Sequence, residues 1–228
     1  MDDKTFDQTT AQTWIDAIEK PGQTQRDKDI YPRLNTWLNV YGAKHVLDLG
    51  CGQGICSQKL LGYKTYEGVD PSPYLIARAN ERYTGDSITF TEGNAYQLPQ
   101  QDGAFDGVFS VLVFHLLEDL EKAAAELGRV LQKGGSFCLI TTNPEAIEQW
   151  AAFYENCNID GKRLSGTMDL DGKPSEDVLY FHTIEDYQSA LKANGLHMYG
   201  ADMFRPATDT DNRKENTPLL MLIAGVKL

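Results

Sequence analysis

Apolar residues recur along this chain in two rhythms that take turns. Short runs rich in β-branched and aromatic residues, at 45–49, 64–69, 87–91, 105–111 and 136–141, read as strands. Between them the apolar positions fall three and four apart, as in Leu75, Ile76 and Ala79 of segment 72–83, or Leu120, Ala124, Leu127 and Leu131, whose helix is predicted to stop at Lys133-Gly134-Gly135. Strand and helix in alternation predict a parallel sheet covered on both faces. A helix over 146–156 carrying Trp150, Phe153 and Tyr154 comes next. Residues 158–175, rich in Gly, Asp and Lys, read as an inserted loop or hairpin, with 178–182 as its returning strand. Thr183 and the acidic Glu185 and Asp186 then mark a helix start, and Asn194-Gly195 its end. The last strands, 196–204 and 219–226, are joined by a charged connection without helical pattern, so they predict an antiparallel hairpin. The expected fold is α/β: a three-layer sandwich around a seven-stranded, mostly parallel sheet. Before it lie two helical pieces, 9–20 with Trp14, Ile15 and Ile18, and one around Ile30, Leu34, Leu38 and Val40, separated by Pro21-Gly22. That divides the chain into 1–44 and 45–228, the latter with an insertion at about 145–182.

The chemistry concentrates where the first strand ends. His45-Val46-Leu47-Asp48-Leu49 runs into Gly50-Cys51-Gly52-Gln53-Gly54, three glycines at alternate positions before a helix. Glycine is required where φ is positive or a ligand approaches the main chain, so backbone amides here can face a ligand. The dinucleotide fingerprint Gly-x-Gly-x-x-Gly fails, because residue 55 is isoleucine. Sixteen residues beyond Gly54, Glu67-Gly68-Val69-Asp70 ends the second strand on a carboxylate placed to accept from both hydroxyls of a ribose. The bland alternative is a helix cap, with Ser72 and Pro73 starting the next helix.

Together these stretches resemble the first motifs of the class I, Rossmann-like S-adenosylmethionine-dependent methyltransferases of small-molecule type, with no subfamily singled out. The resemblance implies S-adenosyl-L-methionine as cofactor, leaving as S-adenosyl-L-homocysteine, and a binding set of Arg26, Asp48, Gly50, Cys51, Gly52, Asp70, Pro71, Asn94, Ala95, Ser110 and Val111. In that family an N-terminal helical lid closes over the cofactor, here 1–44, where Arg26 meets the methionyl carboxylate. An acidic residue before alanine grips the adenine; this chain has Asn94 instead, whose amide can still accept from the adenine amino group or serve only its own turn. The main chain at Ser110 and Val111 accepts from the methionyl ammonium. His115 and His182 are the candidate catalytic residues: an imidazole near the transferred methyl orients a substrate or takes a proton, or is simply packed. Asn143-Pro144 and Asp70-Pro71-Ser72-Pro73-Tyr74 imitate the Asp/Asn-Pro-Pro-aromatic motif of adenine and glutamine N-methyltransferases, but at the wrong strands and spacing.

Composition narrows the partners. With 41% hydrophobic and 24% charged residues the chain is an ordinary globular sequence, and its formal charge of −12, with no basic cluster, disfavours nucleic acid. No apolar run approaches the roughly 20 residues of a membrane span, and Met1-Asp2-Asp3-Lys4 lacks a signal pattern. The four cysteines form no CxxC pair and no zinc spacing, so reduced thiols and no metal are expected, with Cys51 merely small enough for its turn. The expectation is a cytoplasmic enzyme, monomer or homodimer, methylating a small molecule by in-line displacement. A non-catalytic protein that binds the cofactor or its product is the alternative, ahead of a nicotinamide-dependent oxidoreductase.

Overall fold

The computed structural model describes residues 8–19, 26–170, 172–205 and 217–228. The Pro21-Gly22 break, the Met1-Asp2-Asp3-Lys4 stretch and most of the connection 205–217 lie outside them. In chain order the elements are α1 (Gln8–Ile18), a π-helical turn (Arg26–Ile30), α2 (Tyr31–Tyr41), β1 (His45–Leu49), α3 (Cys56–Lys59), β2 (Thr65–Asp70), α4 (Pro73–Tyr83), β3 (Ile88–Glu92) and β4 (Phe105–Val111). They continue with a 3-10 turn (Phe114–Leu116), α5 (Leu120–Val130), β5 (Leu131–Thr142), a second 3-10 turn (Pro144–Ala146), α6 (Ile147–Ala151), β6 (Tyr154–Asp160), β7 (Arg163–Leu170), β8 (Lys173–Tyr180), α7 (Ile184–Ala193), β9 (Leu196–Phe204) and β10 (Leu220–Lys227).

Seven strands form one sheet in the order β3-β2-β1-β4-β5-β10-β9. The first five are parallel, and β10 runs antiparallel to both its neighbours, which is the expected terminal hairpin. Strand alternation sorts the core into two layers. Leu47, Leu49, Val108, Phe137 and Leu139 face α5 and α7, whereas Val46, Tyr66, Phe109, Cys138 and Ile140 face α2 and α4. Asp48 falls on the second face by the same alternation. Each fully buried large side chain contributes roughly 1.5 to 3 kcal/mol, so the two layers together hold the sheet. The order of connection reverses between β1 and β4, and a crevice at the carboxyl ends of strands opens at such a point.

Local chemistry explains several boundaries. Ser72 caps α4 through its hydroxyl, 3.4 Å from the Leu75 amide, and Thr183 with Asp186 closes a reciprocal capping box on α7. Asn143 accepts from the Glu145 amide at 3.1 Å, with Pro144 starting the short turn that follows. Arg129 on α5 ties down the β3–β4 loop, donating to Leu98 and Gln100 carbonyls and pairing with Asp102.

Two expectations need correcting. The helix before β5 ends at Val130, not at the glycines: Lys133-Gly134-Gly135 lies inside β5, where β5 advances from Leu131 to Ser136 while β4 advances only from Phe105 to Gly107, and Gly134 takes φ +79° in that bulge. The helix expected over 146–156 is α6 alone, and Tyr154 begins a strand. The inserted segment, read as a loop or hairpin, is the β7–β8 hairpin, and β6 adds a third strand to give a separate antiparallel sheet in the order β6-β7-β8. Its inner face packs Tyr154, Leu164, Leu179 and Phe181 with Leu116, Trp150 and Met168.

Helix α1 touches two distant parts of the molecule. Ala11 and Ile15 pack on Leu75 of α4, and Glu19 just beyond the helix takes Arg78 at 2.8 Å as well as Arg82. On its other side Thr13 accepts from Lys173 of β8 at 3.0 Å.

Candidate active site

The bend after β1 is stitched to the end of β2: the Gly50 and Cys51 amides donate to the Val69 carbonyl at 2.7 and 3.0 Å. Gly50 and Gly52 are needed for different reasons. A Cβ on Gly50 would stand 2.2 Å from Val113 Cγ2, so that glycine permits close packing of the loop after β4. A Cβ on Gly52 would meet no heavy atom within 4 Å, yet its φ of +54° is left-handed, so the bend keeps bare backbone beside open space.

Asp70 reaches that bend. Its Oδ2 accepts from the Gly52 amide and its Oδ1 from the Ser72 amide, both at 2.9 Å. Each oxygen keeps a further lone pair for a ligand donor. Burial pushes its carboxyl up to about 6, against the pull of the two amides. Asp48, 1% exposed, lies on the α2 and α4 face, where its Oδ2 accepts from the Tyr66 hydroxyl and its Oδ1 has no partner. Burial raises it to about 7, opposed by the Tyr66 and Cys56 side chains and reinforced by the charge of Asp70. Burial likewise holds the Cys51 and Cys56 thiols well above their ordinary range, so neither is a nucleophile.

The remaining candidates arrange themselves around this corner. Arg26, in the π-helical turn, lies 5.6 Å over the Trp14 ring and close enough to Asp48 to favour its charged form. Pro71 is half-buried between Asp70 and the Ser72 cap. Asn94 is exposed, and its Oδ1 accepts from the Tyr96 amide at 2.9 Å, which is the turn-serving geometry; Ala95 beside it is buried. The Ser110 hydroxyl donates to the Leu49 carbonyl at 2.7 Å, and the chain beyond Val111 bends sharply at Leu112, whose φ is +57°.

The two histidines differ. His115, in the 3-10 turn after β4, is 7% exposed, faces Trp150 at 6.5 Å, and its Nδ1 has no partner. Burial first, then the neighbouring His182, lower it to about 3, so the ring is neutral at physiological pH. His182 Nε2 lies 2.7 Å from the Leu117 carbonyl and therefore carries the proton, while its ring stacks on Tyr180. Beside it a cavity of about 700 Å³ opens between the starts of α5 and α7, bordered by Tyr96, Asp119, Lys122, Lys162 and Asp186. Among the described residues no group of acidic, cysteine and histidine side chains is arranged to hold a metal.

The methyltransferase-domain family profile matches residues 47–139, the span containing the bend, Asp70 and β4. An uncharacterized methyltransferase of Anoxybacillus flavithermus is 31% identical over 152 residues, covering 62% of this chain and 71% of its own. The chain belongs to the class I S-adenosylmethionine-dependent methyltransferases. This methyltransferase is also 27% identical to a biotin biosynthesis bifunctional protein of Teredinibacter turnerae over 67% of its length, but spans only 31% of that longer protein. Its fold matches the crystal structure of a putative S-adenosylmethionine-dependent methyltransferase from Listeria monocytogenes, with a TM-score of 0.66 at 21% identity over 87% of this chain and 97% of the other. A geranyl diphosphate methyltransferase in complex with GPP and sinefungin matches with a TM-score of 0.60 at 18% identity, over 86% and 78%.

The methyltransferase uses S-adenosylmethionine, whose sulfonium supplies the activated methyl group. The corner has room and polar groups for such a ligand, with open space at Gly52 and a carboxylate at Asp70 that accepts from the Gly52 and Ser72 amides and keeps further lone pairs. Sequence reasoning missed Tyr66, whose hydroxyl supports Asp48. A tyrosine two residues before Gly68, the register partner of Asp48, was the available signal.

Proposed function

We propose that this methyltransferase acts on a small molecule, held between the loop after β4 and the inner face of the β6–β8 sheet. The observation that carries this reading is the apolar wall there: Leu116, Trp150 and Met168 are only partly buried, over a layer of Tyr154, Leu164, Leu179 and Phe181. Bound S-adenosylmethionine would supply the methyl group for an in-line displacement with S-adenosylhomocysteine as leaving group, and a hydroxyl, amine or thiol acceptor would release its proton to solvent. The chain's task is alignment and exclusion of water.

In this reading Asp70 holds the ribose, Gly50, Cys51 and Gly52 give way to the methionyl part, and Asn94 with Ala95 borders the adenine. Asp48, Pro71 and the main chain at Ser110 and Val111 complete the cofactor set, with Arg26 on the carboxylate. His115, neutral and facing Trp150, orients the acceptor; a ring lowered to about 3 is a poor proton acceptor. His182 keeps the loop after β4 in place through Leu117. Residues 1–44 act as a lid and about 145–182 as an acceptor-binding insertion; α1, bound both to α4 and to β8, supports the lid. The formal charge of −12 argues against nucleic acid, and free cysteines fit a reducing, cytoplasmic setting.

The test is turnover of S-adenosylmethionine to S-adenosylhomocysteine across a panel of apolar hydroxy, amino and thiol compounds. Trp150→Ala should raise KM for the responding acceptor about tenfold, with cofactor affinity unchanged. Binding of the cofactor without turnover on any compound would favour the non-catalytic alternative.

A further inference from the structure

The turn after β3 is fastened to the loop after β4 through one phenol. Asn94 shapes the turn, its Oδ1 accepting from the Tyr96 amide at 2.9 Å and its carbonyl from the Gln97 amide at 3.2 Å. That fixes where Tyr96 starts, and its ring is partly buried against the core layer that contains Ala95, Leu98, Phe114 and Leu117. The hydroxyl then reaches 23 residues along the chain to accept from the Asp119 amide at 3.1 Å. Asp119 ends the loop after β4 and caps α5, its Oδ1 accepting from the Lys122 amide at 3.0 Å. Two residues earlier the same loop is held from the other side, by His182 on the Leu117 carbonyl at 2.7 Å. The segment carrying His115 is thus pinned by one residue from the end of the inserted sheet and by one from the turn at Asn94 and Ala95.

We propose that Tyr96 is a positioning residue for methyl transfer: its hydroxyl links the turn that borders the adenine to the loop that carries His115, so that filling the adenine side steadies the acceptor side. The inference rests on the reading that Asn94 and Ala95 border the adenine, and goes beyond it by giving the path between the two ligands. Burial raises the phenol above its ordinary range, so it stays neutral at physiological pH and serves the Asp119 amide as an acceptor. The turn has other attachments, since the Leu98 amide donates to Glu126 at 2.6 Å and the Leu98 carbonyl accepts from Arg129 at 3.0 Å. Loss of the hydroxyl therefore frees the end of the loop and leaves the turn seated on α5. Tyr96 and Asp119 both border the cavity beside His182, where water can replace a missing phenol oxygen. Coupling between two sites is reciprocal, so a steadied loop also favours the adenine side.

The test is amide hydrogen exchange on the full chain with and without saturating adenosine, which fills the adenine and ribose places but lacks the methionyl part assigned to Ser110 and Val111. The reporters are the Leu116 and Leu117 amides, bonded to the Val113 and Phe114 carbonyls inside their own turn, and the Gln97 amide on the adenine side. In the parent, adenosine should slow all three. In Tyr96→Phe it should still slow Gln97, while the slowing at Leu116 and Leu117 should shrink about three- to tenfold, and the ligand-free melt should barely move. A merely structural role would speed exchange by the same factor with and without adenosine and leave the slowing intact, which overturns the proposal. A loss seen only in Tyr96→Leu would assign the effect to packing of the ring and overturn it as well. Adenosine that slows Gln97 but neither leucine in the parent also removes the role of Tyr96. If Gln97 is unaffected too, the placement of the adenine beside Asn94 fails, and not merely the link.

Discussion

The corner around the glycine bend and the inserted β6–β8 sheet sit in one molecule but are built from different materials. The corner is largely backbone: Gly50 and Cys51 amides on Val69, Gly52 and Ser72 amides on Asp70, and left-handed φ at three alternate glycines. The inserted sheet offers side chains instead, gathered from the turn after β4, from α6 and from strands β6 to β8. The contrast teaches where change is possible. A ligand gripped by main chain cannot be exchanged without altering the bend, whereas a wall of side chains on an insertion can be rewritten residue by residue.

The largest effect should come from breaking the backbone half alone. Gly52→Val places a branched side chain in the open space at a left-handed φ, so cofactor affinity should fall more than a hundredfold, with ~1–2 kcal/mol of stability lost to the backbone conformation. Calorimetry with S-adenosylhomocysteine and a thermal melt check both, and a variant that still binds would show that the bend does not face the cofactor.

A second measurement sharpens the comparison through pH. Asp48 and Asp70 ionise in the folded chain near 7 and 6 rather than at their ordinary 3.8, so folding favours their protonated forms. That stabilisation is complete below about pH 4 and is lost as pH rises through the two folded values. The ligand-free protein should therefore lose stability between about pH 4 and 7, and Asp48→Asn, which can still accept from Tyr66, should flatten the slope and gain on the order of 1–3 kcal/mol at pH 8. Denaturant titration at several pH values decides it. An unchanged slope would mean that Asp48 does not titrate in this window.

The smallest effect concerns the element that joins the halves. Glu19→Ala removes the pairs with Arg78 and Arg82 that hold α1 to α4. Partly exposed pairs of this kind contribute ~1 kcal/mol or less, so cofactor dissociation should quicken only about two- to fivefold, as stopped-flow release would record. A lid reading in which α1 plays no part predicts no change.

The same division governs what could be read from the chain. Strand β4 lies where the apolar pattern puts it, the cap at Thr183 is formed, and Asp70 meets the glycine bend as its position at the end of β2 implies, because each depends on neighbours within a few residues or on sheet topology. The inserted sheet was legible only as far as a hairpin, and its first strand was not. Trp150, Phe153 and Tyr154 have helical spacing, yet α6 stops at Ala151 because β6 finds a partner in β7, and that pairing leaves no local mark. Gly134 likewise signals a left-handed residue without saying whether it ends a helix or bulges a strand. The role of Tyr66 depends on burial and on a cross-strand contact with Asp48, which a list of residues does not display.

The hydrogen bond from Tyr66 to Asp48 has one further use. A phenol ring locked beside a carboxyl that changes charge close to neutrality is a built-in meter: isotopic labelling of the ring would let its resonance frequencies report, without any added probe, how many protons sit beneath the bend at each moment of the catalytic cycle.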